Sequence, residues 1–382
     1  MSEKSAVIET KPSSRGLKIK KAMAVATTFL TAGGIAAPVA HAEGFAKKPP
    51  RKEAVHYGLQ KVSELPGYKI NVGPEMRQEL MDSTVEVIKH TPPNADTIPW
   101  PWFGNCTGVK VMMPGQTDPT VMTAAHCFSE ATGFKYGDFA NPAAPNDTAE
   151  NFINAEYYEV GIVDPQSPWE TREQGPLLGI GGISISTHHT DVALLAPFTG
   201  KGGPSPSGQD SRTWEQIPAI NFKVAQHLIP GEQLALYGVP QAANFSPVIG
   251  TGRYIGRVHF TEYVYDGSTE TSSRMLDIVA INPNNPTADA CNYGASGSLA
   301  MRADGSMLGP LSIRLNKGYS TPNTNQAVDS PDFNNYWRTN WEMETGVDLE
   351  NYSTICAYTV LDKNTPSQLV EGFNHMTVPY MK

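Results

Sequence analysis

The chain has 382 residues, enough for two packed units with extensions and too many for one small module. Its 40% hydrophobic and 18% charged residues describe an ordinary globular protein, and 34 Gly with 31 Pro point to many turns, favouring β structure over long helices. The formal net charge is −9, becoming −13 once residues 1–42, with six basic and two acidic side chains, are removed; an acidic surface argues against nucleic acid as a partner, because phosphate binding depends on clustered Lys and Arg.

In residues 1–42, Lys4, Lys11, Arg15, Lys18, Lys20 and Lys21 precede an apolar run at 22–40, and Ala40-His41-Ala42 offers the small residues that a signal peptidase requires. We read a secretory signal cleaved before Glu43, which predicts a secreted protein, extracellular or periplasmic, with no membrane attachment after cleavage. A membrane anchor is the competing reading, but Gly33, Gly34 and Pro38 interrupt the run. Residues 43–95 follow as an amino-terminal extension or propeptide. Within them Pro74 could begin a helix through Glu75, Met76, Glu79 and Leu80 that packs on the body.

From about Trp100, short apolar runs at 108–113, 120–125, 157–163 and 191–195 alternate with turn residues and predict antiparallel strands. The stretch 197–211, with Gly200, Gly202, Gly203, Pro204, Pro206 and Gly208, has no apolar periodicity and marks a domain boundary. Strands resume at 233–239, 252–265, 275–281, 297–302 and 307–315, the last two joined through Ala303-Asp304-Gly305-Ser306 as a hairpin. Two blocks of short strands on either side of a loose linker predict an all-β fold of two packed β-barrels, residues 96–203 and residues 204–382 with a carboxy-terminal extension.

Four cysteines, Cys106, Cys127, Cys291 and Cys356, form an even set in a chain bound for an oxidising compartment, so two disulfides are expected. Of the three possible pairings, 106 with 127 and 291 with 356 would each close a loop inside one half of the chain. Zinc is the competing use of four cysteines, but no Cys-x-x-Cys pair occurs.

Amide hydrolysis needs a nucleophile, a base, a group that orients the base and donors for the oxyanion. Ser296 lies in Gly294-Ala295-Ser296-Gly297-Ser298, where flanking glycines permit a tight turn that exposes the hydroxyl and brings backbone amides near a carbonyl. By itself such a turn is no more than a turn. His126, in Thr123-Ala124-Ala125-His126-Cys127, ends a short apolar strand beside a cystine candidate. Asp191 follows His188, His189 and Thr190 and opens the run Val192-Ala193-Leu194-Leu195, so a carboxylate enters the core there and needs a partner. Adjacent His188 and His189 would point to opposite faces of a strand, which argues against one shared metal ion.

These residues resemble the trypsin-like, chymotrypsin-fold serine peptidases over roughly residues 100–320. Residues 123–127 match the histidine motif of that family letter for letter, 191–195 look like its aspartate motif, and the order His, Asp, Ser is the family's own. The resemblance implies two packed six-stranded antiparallel β-barrels and a serine endopeptidase acting on protein or peptide substrates through an acyl-enzyme. No cofactor or metal is implied. It further implies His126 as general base, Asp191 as its orienting carboxylate, Ser296 as nucleophile and the amides of Gly294 and Ser296 as oxyanion hole. Cys106 would pair with Cys127 beneath the histidine. Cys291 looks like the cysteine that closes the specificity pocket, with Cys356 as a partner further along the chain than usual. Ser312 falls where the substrate-binding strand begins.

Two features depart from the digestive members of the family. Ala295 stands where they carry an Asp that pairs with a freed amino terminus, and an Ile-Val-Gly-Gly type start is missing near residues 80–100, so activation through that ion pair is not expected. Bacterial secreted members, including those resembling glutamyl endopeptidases, share Gly-x-Ser-Gly-Ser. One extra residue between Cys291 and Ser296 makes the pocket floor Asp289 or Ala290; Asp289 would favour Lys or Arg substrates. Arg314 could select an acidic side chain or narrow the cleft. Two other readings compete: an inactive peptidase-like binding protein, and an α/β-hydrolase-type esterase using Ser296, Asp348 or Asp362, and His375.

Overall fold

A computed structural model of the chain describes residues 58–90, 102–128, 159–167, 178–185, 191–197, 212–240, 243, 246–263, 271–282, 290–316 and 331–374. Residues 1–42, expected as a secretory signal, residues 198–211 of the expected linker 197–211, His188, His189, Asp289 and His375 fall outside them.

The first sheet contains β1 (Thr84–His90), β2 (Trp102–Met112), β3 (Thr120–Thr123), β4 (Glu159–Val163), β5 (Leu178–Ile185) and β6 (Ala193–Pro197). Their order is β1-β4-β5-β6-β3-β2, and β2 pairs back onto β1 from Thr84↔Val109 to His90↔Trp102, so six antiparallel strands close on themselves. Closure removes both sheet edges. A seventh member, β7 (Ile220–Asn221), was not expected and lies parallel to the end of β2 at Val111↔Ile220.

The second sheet contains β8 (Gln233–Gly238), β9 (Val248–Tyr263), β10 (Thr271–Ile281), β11 (Ala300–Met301), β12 (Leu311–Asn316) and β13 (Thr354–Thr359), in the antiparallel order β11-β8-β9-β10-β13-β12. Its ends are drawn together by Gly297 N–H donating to Leu311 O at 3.0 Å and Leu308 N–H to Ala300 O at 2.9 Å. The turn at 303–306 forms, with Arg302 N–H on Ser306 O, but the strand before it shortens to Ala300–Met301. The all-β, two-barrel architecture is therefore present, and its antiparallel sheets exclude the parallel sheet with alternating helices that the esterase reading needs. Asp348 and Asp362 are engaged in local turns, with Asp362 accepting from Thr365 N–H at 2.8 Å.

Strand faces explain the continuous apolar runs. Val121, Ala193 and Leu195 point into the first barrel with Val85, Val87 and Ile162, whereas Met122, Val192 and Leu194 meet Ala235, Tyr237, Leu299 and Met301 of the second. Both faces of β3 and β6 are buried, so alternation with polar residues disappears. Leu194 and Leu195 are fully buried, each contributing about 1.5–3 kcal/mol by removal from water.

The helix at Pro74 forms as α1 (Pro74–Ser83), with Pro at its first turn where a missing N–H costs nothing, and Leu80 buried between the barrels. The first sheet thus begins at Thr84, inside the stretch 43–95 expected as an extension, and from Gln60 onward that stretch packs on the body: Val62 and Leu65 join the outer core of the second barrel. Two further helices are α2 (Pro331–Thr345) and α3 (Thr365–Asn374). α2 covers the outer face of the second barrel with Trp337 and Trp341 and occupies the insertion between β12 and β13. Among the described residues no helix is long and apolar enough to cross a membrane.

Candidate active site

His126 sits on a single turn, Ala125–Phe128, at the end of β3, and Asp191 lies just before β6, the neighbour of β3 through Thr123↔Ala193. Strand pairing therefore brings together residues 65 positions apart. Asp191 Oδ2 is 2.7 Å from His126 Nδ1, and its Oδ1 accepts the His126 backbone N–H at 2.8 Å. A carboxylate only accepts, so the proton of the neutral ring sits on Nδ1 and Nε2 is the basic nitrogen.

Asp191 is 1% exposed and His126 7%. Burial pushes the Asp191 carboxyl up, but His126, Arg274 and the Ser312 hydroxyl outweigh burial and hold it well below the usual carboxylate range. The Ser312 hydroxyl donates to Asp191 Oδ2 at 2.5 Å, and Thr359 Oγ1 to the Asp191 backbone carbonyl at 3.3 Å. Ser312, expected where a substrate-binding strand begins, is the second residue of β12, and its side chain is directed at the carboxylate.

Ser296 lies in the turn before β11 and is half-buried. Gly294 and Gly297 adopt φ of +90° and +89°, a region costly for side chains, and a Cβ on Gly297 would fall onto Thr123 Oγ1 and Thr107 O and lie 2.8 Å from Ala124 N. Glycine here lets the serine turn pack directly on the end of β3 at Thr123, three residues before His126. The turn uses the N–H groups of Ala295, Gly297 and Ser298 on Asn292 O, Leu311 O and Ala295 O, a set that omits those of Gly294 and Ser296.

Thr107, which no motif pointed to, fastens the two barrels here. Its N–H donates to Ser296 O at 2.8 Å, its hydroxyl donates to Gly294 O at 3.0 Å and accepts from Val239 N–H, and its carbonyl accepts from Thr123 Oγ1. Only its place beside Cys106 could have drawn attention to it. Cys106 is bonded to Cys127 beneath His126, and Cys291 to Cys356, the latter on β13. Ala290 is buried in the second barrel. Arg314, on β12, carries its guanidinium 4.0 Å above the Tyr293 ring and bonds Asn292 Oδ1.

No protein-family model matches the chain. Curated proteins give no match. Among solved structures, the Rv3671c protease of M. tuberculosis is similar: its Ser343Ala mutant in the inactive form superposes with a TM-score of 0.39 at 14% identity, covering 83% of this chain and 100% of that one. Its active form gives 0.36 at 14% identity over 85% and 95% of the two chains. With both scores below 0.5, the assignment of the site rests on its own geometry.

Proposed function

We propose that the chain is an exported serine endopeptidase that cleaves protein or peptide substrates through an acyl-enzyme on Ser296, without a cofactor. The observation that carries this reading is the buried Asp191 holding His126 through both its backbone N–H and Nδ1, beside a glycine-bounded serine turn packed on the same strand end.

Ser296 Oγ attacks the substrate carbonyl while His126 Nε2 takes its proton, and Nδ1–H stays on Asp191, which balances the imidazolium charge. The amides of Gly294 and Ser296 receive the oxyanion. His126 returns the proton to the leaving amine, and a water then repeats the steps to release the acyl group. General base action of this kind is worth roughly 10² to 10⁴ in rate. Two disulfides that use all four cysteines suit an oxidising compartment, which supports export.

The test is a fluorophosphonate probe on the purified protein with peptide mapping. Label on Ser296, lost in His126→Ala, is expected. Label elsewhere, or label retained without His126, refutes the assignment, and no label at all favours a binding protein.

A further inference from the structure

The peptidase reading specifies a reaction but not which side chain must precede the cleaved bond, and the walls beside Ser296 bear on that. One wall is 290–293, which leads into the serine turn. The other is β12 from Ser312 to Arg314, held against the same turn by Gly297 N–H on Leu311 O and Leu311 N–H on Ser298 O at 2.8 Å. By the resemblance to the chymotrypsin-fold peptidases, the substrate side chain next to the cleaved bond would lie between these walls.

The gap is crossed twice. At depth the Cys291–Cys356 bond runs from the first wall to β13, and Cys356 stands directly opposite Arg314 in the β12–β13 register. Both cysteines are buried, Cys291 Sγ is 3.5 Å from Tyr358 Oη, and Ala290, Ala295 and Tyr358 pack into the same cluster. At the mouth the Arg314 side chain reaches from β12 to the first wall, stacked on Tyr293 and bonded to Asn292. A planar guanidinium held by both a ring and an amide oxygen is fixed in place.

We infer that the specificity pocket is filled by the cystine and lidded by Arg314, so that the enzyme cleaves after small uncharged residues such as Gly, Ala or Ser. This rests on the peptidase reading. Of the two roles open to Arg314, it takes the narrowing of the cleft, with Nη1 of the guanidinium bonded to Asn292 and the plane laid on Tyr293.

The test is a peptide library varied at the residue before the cleaved bond, run on the natural protein and on Arg314→Gly, Arg314→Lys and Tyr293→Ala, with fluorophosphonate labelling of each. The natural protein should prefer Gly, Ala and Ser over Phe, Lys and Glu. Arg314→Gly should gain roughly 10- to 200-fold in kcat/KM for Phe or Leu, the range that even one methylene is worth in an apolar pocket, and Tyr293→Ala should shift the same way. Efficient cleavage after Phe or Lys by the natural protein overturns the inference while labelled Ser296 upholds the peptidase. A Glu preference kept in Arg314→Lys and lost in Arg314→Gly overturns it in favour of charge recognition. Failure to label Ser296 in the natural protein overturns both. If neither opened variant labels, the library on the natural protein decides alone.

Discussion

Asp191→Asn isolates the orientation of the base. The carboxylate accepts from His126 N–H on Oδ1 and from His126 Nδ1–H and Ser312 on Oδ2. An asparagine brings one oxygen and one NH₂. If the NH₂ faces the backbone N–H of His126, two donors meet at 2.8 Å in a buried place, and the amide cannot shed its proton; an unsatisfied buried donor costs about 1–3 kcal/mol. If it faces Nδ1, the imidazole avoids the clash by moving its proton to Nε2. The second arrangement wins, and it leaves the nitrogen facing the nucleophile unable to accept. The expected loss is about 10⁴ in kcat with little change in KM, or about 5 kcal/mol of barrier. Hydrolysis of a chromogenic amide and the rate of fluorophosphonate inactivation both report it, with circular dichroism to show the fold is kept. Activity within tenfold of the natural protein would refute the reasoning. The stability effect has a definite sign with pH. Because the folded carboxyl is held below its usual range, its contribution is complete above about pH 4 and is lost as pH falls further. The gap in melting temperature between the natural protein and Asp191→Asn should therefore close as pH falls below about pH 4.

Other consequences are open to measurement. Replacing Cys106 and Cys127 together by Ala should cost about 3 kcal/mol and the Cys291–Cys356 pair about 4, since their sequence separations are 21 and 65 and loop-closure entropy grows slowly with length; equal losses in urea titrations would contradict this. Gly297→Ala should lose at least the 1–3 kcal/mol or so of a non-glycine residue at φ +89°, and activity beyond what stability explains, because the added methyl strikes Thr123 and the Thr107 backbone. Thr107→Val deletes the hydroxyl that joins Gly294 to Val239 and should lower both thermal stability and kcat, whereas a variant that retains full activity would remove Thr107 from the supporting structure.

The strands that carry the site were legible because both faces of β3 and β6 are apolar, and His126 and Asp191 mark where each strand meets the cleft. The helix at Pro74 was legible from its first-turn proline. By contrast, β1 was hidden in an apparent extension, since Thr84–His90 breaks alternation at Val87-Ile88 and Lys89-His90, and only its pairing with β2 and β4 gives those residues a place. The role of Thr107 was invisible for a similar reason: a single threonine carries no pattern, and its four contacts come from residues 16 to 189 positions away.

By itself the sequence determined an all-β chain in two blocks, four cysteines in two halves, and three polar residues in an order suited to acyl transfer. Local periodicity and turn chemistry are properties of neighbouring residues, and these can be read along the chain. Only the tertiary structure decided that Ser312 serves Asp191, that β1 belongs to the first barrel, and that Arg314 lies across Asn292 and Tyr293. Each of those depends on which strands become neighbours, and that is settled by burying both faces of each sheet at once, a condition on the whole chain that no short segment contains.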